Sequence, residues 1–175
     1  GLGGVGKTEL AVQYVLRHGH LYPSGVFFVT ADAPSELELL KRLAAAVGVA
    51  CPPDADADAL RAATHAWFGG RSGWLLLVDN ADDESALRPS SGALARALPP
   101  ADACGHVLLT SRVGTQDFGA IGASTLQLQL LSTAVVADGV TAAEVLLPRH
   151  ARGLGRRGYA DADVARRAAA HEPAA

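Results

Sequence analysis

Gly1-Leu2-Gly3-Gly4-Val5-Gly6-Lys7-Thr8 is the stretch on which the reading of this chain turns. It satisfies G-x-x-x-x-G-K-[ST] at every fixed position. Glycines in that pattern let consecutive backbone N–H groups curl around an anion, because a Cβ there would collide with a phosphate chain. The lysine brings a point charge to the outer phosphates, and the threonine hydroxyl is a hard oxygen ligand suited to Mg²⁺. A helix that starts at the loop turns its positive N-terminal end on the same anion. Any glycine-rich turn before a helix shares part of this pattern; Lys-Thr in register makes it specific. Such a loop leaves the C-terminal end of a buried strand, and nothing precedes Gly1 to form one. With no initiator Met and no Met at any position, the chain is expected to be a piece of a longer protein, cut at the loop.

Working outward, residues 8–17 carry Leu10, Ala11, Tyr14 and Val15 on one helical face. Arg17, His18 and Gly19 suit the C-terminal end of that helix. After the turn Tyr22-Pro23-Ser24-Gly25, the run Val26-Phe27-Phe28-Val29-Thr30 reads as a strand covered on both faces. Residues 35–47 form an amphipathic helix with Leu37, Leu40, Leu43, Ala44 and Val47 inward; either Ser35 caps it or Asp32 begins the turn before it. Asp54, Asp56 and Asp58 alternate, but a calcium loop would need glycine at position 59 and glutamate at position 65, where the chain has Ala59 and His65. These aspartates read as a solvated loop whose last member, Asp58, caps a helix with Leu60, Ala63, Thr64 and Trp67 on its inner face, stopped by Gly69-Gly70.

Trp74-Leu75-Leu76-Leu77-Val78-Asp79 is the second decisive stretch. An apolar run that ends in one carboxylate is the composition of a buried parallel strand, and the C-terminal ends of such strands are where doubly wound sheets place their ligands. An aspartate there holds Mg²⁺ directly or through water. Leu94, Ala97 and Leu98 suggest a short helix ended by Pro99-Pro100. Gly105-His106-Val107-Leu108-Leu109-Thr110 reads as a third strand, with Thr110-Ser111-Arg112 at its end and Arg112 within reach of a terminal phosphate. Leu126, Leu128 and Leu130 alternate with glutamines and indicate a fourth or edge strand. Beyond it, Ser132 is a candidate cap and Thr141-x-x-Glu144 a capping signature. The glycine- and arginine-rich stretch from Arg149 reads as a basic loop, and residues 163–171 as a surface helix.

Composition sets the outer bounds. A chain of 175 residues holds roughly one domain with a real core. A net charge of −3 gives no reason to expect nucleic acid or an acidic membrane as partner. Cys51 and Cys104 lack C-x-x-C spacing, which argues against a zinc site or disulfide framework and suits a reduced, cytoplasmic setting. No apolar run reaches the ~20 residues of a membrane span.

Taken together these stretches resemble the NB-ARC family of signal-transduction ATPases, the STAND class. Gly1-Leu2-Gly3-Gly4-Val5-Gly6-Lys7-Thr8-Glu9-Leu10-Ala11 is similar to that family's phosphate loop and first helix. Tyr22-Pro23-Ser24-Gly25-Val26-Phe27-Phe28-Val29 is similar to the strand that follows. Leu75-Leu76-Leu77-Val78-Asp79-Asn80-Ala81-Asp82-Asp83 is similar to its Walker B segment, and Gly105-His106-Val107-Leu108-Leu109-Thr110-Ser111-Arg112 to its sensor 1 strand. The resemblance implies a three-layer α/β P-loop NTPase fold with a mostly parallel sheet, over residues 1–147, lacking the strand before the loop. Residues 148–175 are expected to be a helical or flexible tail.

The resemblance also implies a switch that holds ADP closed and opens with ATP, with possible weak hydrolysis, self-association, and effector or sensor domains elsewhere in the full protein. Gly1, Gly3, Gly4, Val5, Gly6, Lys7, Thr8 and Glu9 would bind the nucleotide. Lys7 would contact the β- and γ-phosphates, Thr8 and Asp79 would serve Mg²⁺, and Arg112 would sense the γ-phosphate. The position after Asp79 is Asn80, whose amide cannot accept a proton as a carboxylate does, so Asp82 or Asp83 would have to substitute. A ParA/MinD-like ATPase fits less well, since it wants lysine where Leu2 stands; a GTPase lacks its Asn-Lys-x-Asp segment here. The reading from another class is a non-hydrolysing scaffold that binds ADP or nothing. In related P-loop ATPases the strand before the loop is central. It would bury several side chains at ~1.5–3 kcal/mol each, against a whole stability of ~5–15 kcal/mol, so this piece alone is expected to be unstable or molten.

Overall fold

The computed structural model describes residues 5–113, 118 and 121–128. The three apolar runs become three strands: β1 (Gly25–Thr30), β2 (Trp74–Asp79) and β3 (His106–Leu109). They form one parallel sheet in the order β1-β2-β3. β2 lies in the middle and is buried at every position, as an unbroken apolar run requires when both faces are covered.

Side chains alternate across the sheet, and the two sides collect different helices. Val26, Leu75 and Leu77 pack with Ala11 and Val15 of α1 (Lys7–His18) on one face. Phe27, Val29, Trp74, Leu76 and Val78 pack on the other with α2 (Glu36–Val47), α3 (Ala57–Gly69) and α4 (Ala93–Ala97). The described chain is therefore α/β with a helix layer on each side of a parallel sheet, as the sequence suggested. The hydroxyl of Tyr22 lies 2.9 Å from that of Tyr14 and 3.1 Å from Nδ1 of His106, and so links α1 to β3.

The helices begin and end for local reasons, with some departures from expectation. Ser35 caps α2 by accepting from the Glu38 N–H at 3.2 Å. Its buried face is Leu39, Leu40, Leu43, Ala44 and Val47; Leu37 is only partly buried. Asp56, not Asp58, caps α3, accepting from the Ala59 N–H at 2.7 Å. Asp58 is instead drawn into the first turn by Arg61, at 2.7 Å. Arg61 also reaches Glu36 at 2.6 Å, and Arg96 reaches the same carboxylate at 3.3 Å, which ties α2, α3 and α4 together. On α3 the fully buried ring is Phe68, and Trp67 is half-buried edge-on to Phe27. Gly19 ends α1 by running on into a one-turn 3-10 helix with φ −56°, not as a left-handed cap.

The expected fourth strand is not seen where it is described. Residues 126–128 are not strand, and Leu126 is 59% exposed. A strand needs a ladder partner, and among the described residues the outer edge of β3 pairs with none; Val107 there is 38% exposed. Leu130, Leu131, the capping signals at Ser132 and Thr141, the basic loop, the last helix and the boundary at residue 147 lie outside the described residues, as do Gly1, Gly3 and Gly4. No helix among the described residues is long and apolar enough to cross a membrane. Cys51 and Cys104 are exposed free thiols.

Gly105 tests this packing. Trp74 is fully buried and shares its indole N–H between the carbonyls of Phe68 and Arg71, each at 3.2 Å. A Cβ on Gly105 would overlap the Trp74 ring. Gly105→Ala is expected to cost at least ~1–3 kcal/mol, the range for an overpacked core. Urea unfolding followed by tryptophan fluorescence measures it, and an unchanged midpoint would contradict the packing described.

Candidate functional site

Parallel strands bring their C-terminal ends to one edge of the sheet, and register decides which residues meet there. Thr30 pairs with Asp79, and Val78 with Leu109, so the next residue, Thr110, falls beside Asp79. A cavity of about 900 Å³ opens over this edge. Its walls are the start of α1 (residues 6–9) and the segments that follow the three strands (residues 31–35, 80–83 and 110–112), with Leu39 and Leu94 on its apolar side. Ligands of open α/β sheets bind in this position.

Asp79 is only 7% exposed. A carboxylate so placed must be met by donors. Its Oδ1 accepts from the Thr8 hydroxyl at 2.8 Å and, in a short hydrogen bond, from the Thr110 hydroxyl. Thr110 Oγ1 accepts in turn from the Asn80 N–H at 3.2 Å, and the Thr110 carbonyl accepts from the Ala81 N–H at 2.8 Å. Thr8 and Asp79, 71 residues apart in sequence, are thus in contact.

The start of α1 explains how Thr8 is delivered. Gly6 is the N-cap with φ 90° and ψ 20°, a left-handed conformation that glycine alone adopts readily. The Leu10 N–H reaches the Gly6 carbonyl at 2.8 Å and begins the helix. Gly6 supplies no side-chain cap, and the first turn lies in the cavity wall, which is how helix N-termini present donors to anions. Lys7 and Glu9 line the cavity as well; Glu9 accepts from Gln13 at 3.0 Å. Val5 is half-buried and is not part of the wall.

A hydroxyl and a carboxylate side by side are a hard-oxygen pair that fits Mg²⁺. Among the described residues no group of three or more His, Cys, Asp or Glu could hold a metal. Mg²⁺ commonly takes one or two protein oxygens, completing its shell with water and substrate phosphates. Thr8 and Asp79 suit a metal that arrives with a phosphorylated ligand, rather than one caged by protein.

The remaining predicted residues, Arg112, Asp82 and Asp83, also reach the cavity. Asp82 accepts from the Arg112 backbone N–H and from its Nε, both at 2.6 Å. Burial alone would raise the Asp82 pKa, but these bonds and the charges of Arg112 and Lys7 outweigh it and lower the pKa. Asp83 accepts from the Ser85 hydroxyl at 2.7 Å and from its N–H at 2.8 Å, and those bonds lower its pKa too. Asp32, after β1, is held down by hydrogen bonds from Thr30 and then from Arg42, whose Nη1 lies 3.0 Å away. Residues named from sequence therefore converge, but neither Asp82 nor Asp83 is an uncommitted base. Sequence reasoning passed over Thr110 as a partner of Asp79; strand register was the signal that would have found it.

Over 137 residues this chain is 33% identical to the regulatory protein AfsR of Streptomyces coelicolor. The match takes in 75% of the chain and 13% of that protein, so the chain spans a small part of its relative's length. No family profile and no solved structure matches it.

Three depressed aspartates give stability a definite pH dependence. A group whose folded pKa lies below its unfolded value contributes fully above the unfolded value, and that contribution is lost as pH falls through the folded one. For Asp32, Asp82 and Asp83 the loss begins near the ordinary aspartate pKa of 3.8. The contribution of these three carboxylates to the urea midpoint is expected to hold between pH 6 and 8 and to be lost below about pH 4. The deficit of Asp82→Asn at pH 7 should shrink by pH 3; a deficit constant with pH would contradict the ion pair as described.

Proposed function

We infer that this chain is the nucleotide-binding module of a regulatory switch protein of the NB-ARC group within the STAND class of P-loop ATPases, taking ADP and ATP with Mg²⁺. The observation that carries the reading is the 2.8 Å hydrogen bond between Thr8 and Asp79. It joins the Gly-Lys-Thr loop to the carboxylate at the end of the central strand, the two parts that phosphate and metal binding require together. The cavity walled by the start of α1 and by Arg112 gives a polyanion a helix N-terminus, a lysine and an arginine at one place. The similarity to a regulatory protein supports the signalling half of the reading.

In this reading the first turn of α1 holds the inner phosphates, Lys7 meets the β- and γ-phosphates, Thr8 and Asp79 present oxygens to the metal, and Arg112 meets the outermost phosphate. ATP and ADP then make different contacts, and only such a difference shifts a two-state equilibrium. Self-association and the effector or sensor domains that would act on the shift belong to the same proposal.

The second reading, a module that binds nucleotide without turning it over, is favoured by one feature. Asn80 offers no carboxylate, and Asp82 and Asp83 are both spent on internal donors that lower their basicity.

Thermal unfolding of the chain with and without Mg-ADP tests binding. At a hundredfold excess over Kd the expected gain is ~2.7 kcal/mol, a rise of several degrees in Tm for roughly this size of domain. Lys7→Ala should lose most of that gain, and Asp79→Ala should bind ADP equally with Mg²⁺ or EDTA. Where the chain unfolds cooperatively, no ADP-dependent rise, or an equal rise in Lys7→Ala, would refute the site. Steady ATP turnover abolished by Asp79→Ala would select the hydrolysing switch, and tight ADP binding without turnover would select the second reading.

A further inference from the structure

Arg112 is already bound to an anion within the protein. Both oxygens of Asp82 are engaged by it, one through the backbone N–H and one through Nε. The carboxylate is not a wandering surface group, because backbone bonds fix both segments. The Ala81 N–H meets the Thr110 carbonyl at 2.8 Å, the Ser111 hydroxyl meets the Ala81 carbonyl at 2.5 Å, and the Asp82 N–H meets the Asn80 carbonyl at 2.8 Å. The arginine side chain is 63% exposed and that of Asp82 21%. The cation is therefore the partner with room to swing, while the carboxylate stays. Both line the cavity that Lys7 lines.

We propose that Asp82 is an internal rival of the ligand's outermost phosphate: by holding Arg112 it sets how strongly the cavity prefers a nucleoside triphosphate to the diphosphate. This rests on the nucleotide site inferred above. Carboxylate and phosphate offer a guanidinium the same planar, charge-assisted recognition, so they compete for it. A ligand with one more phosphate brings one more anion for Arg112 to serve and more negative charge beside Asp82. Both effects act in the same direction. Asp82 works against the triphosphate and leaves the diphosphate nearly untouched, which biases the resting module towards ADP.

The test is a comparison of affinities in the full chain, using Mg-ADP and the Mg complex of the β,γ-imido analogue of ATP as probes. The four proteins are the parent, Asp82→Asn, Arg112→Gln and the double variant, each first checked for a cooperative thermal transition without ligand. Asp82→Asn should tighten the triphosphate analogue about 5-fold or more, the lower end of ordinary coupling between sites, with ADP changed less than about 2-fold. Asp82→Ser should shift the ratio in the same direction, and serves if the asparagine variant does not fold. In the Arg112→Gln background, Asp82→Asn should shift the ratio clearly less than in the parent, since only the charge repulsion is left to relieve. An unmoved ratio, weaker analogue binding, or an equal shift without Arg112 would overturn the proposal while leaving the site intact. A folded parent that binds neither probe would instead overturn the nucleotide reading, and this proposal with it.

Discussion

A carboxylate buried at the end of an apolar strand has to be met by hydrogen-bond donors, and the way Asp79 is met organises this molecule. Its donors come from the first turn of α1 and from the residue just past β3. Neither element is close to it in sequence. The central strand is thereby joined to the helix layer on one side and to its neighbour in the sheet. An unpaired ion in that position would cost several kcal/mol, so the sequence around Gly6, Thr8 and Thr110 is constrained together. The same constraint shapes the cavity, because donors that satisfy Asp79 also stand along its wall.

The strands and their order of burial were legible because β1 and β2 are unbroken apolar runs, and only a sheet covered on both faces explains such runs. Helix faces were legible except at one large side chain in each of α2 and α3. Leu37 was expected inward where Leu39 is, and Trp67 where Phe68 is. Trp67 and Phe68 are successive residues, about 100° apart on a helix, so the way α3 is turned against the sheet decides between them, and local sequence does not record that. The capping aspartate was misplaced for a related reason. Asp56 and Asp58 offer the same side chain two residues apart, and the choice is made by Arg61, which draws Asp58 towards the cluster at Glu36. That cluster exists only once α2, α3 and α4 are packed.

For the site, motif spacing alone named Thr8 and Asp79, since each residue type is needed for one shared chemistry. It did not show that Arg112 would be in the grip of Asp82, 30 residues earlier. That pairing depends on β2 and β3 being adjacent and parallel, so that the segments leaving them run side by side. Once Val78 is known to pair with Leu109, Thr110 beside Asp79 and Arg112 near Asp82 follow from counting.

More carboxylates gather in and beside the cavity than the proposed polyanionic ligand would first suggest, and the geometry resolves the conflict. Asp79 is occupied by two hydroxyls, Asp82 by Arg112, Asp83 by Ser85 and Asp32 by Arg42. Each carboxylate is turned to a donor of the protein, which blunts its repulsion of an anionic ligand. For Asp32, Asp82 and Asp83 the same bonds lower the pKa, and a carboxylate whose pKa is lowered is a weaker general base. Asn80 stands in the left-handed region at φ 58° and spends its N–H on Thr110, a conformation that asparagine tolerates better than most residues. At this position the chain has a residue that shapes the turn and holds the Asp79 network in place, and that cannot take a proton. Under the proposed function, that arrangement suits holding a phosphorylated ligand better than turning it over rapidly, and a switch needs occupancy that lasts long enough to be read.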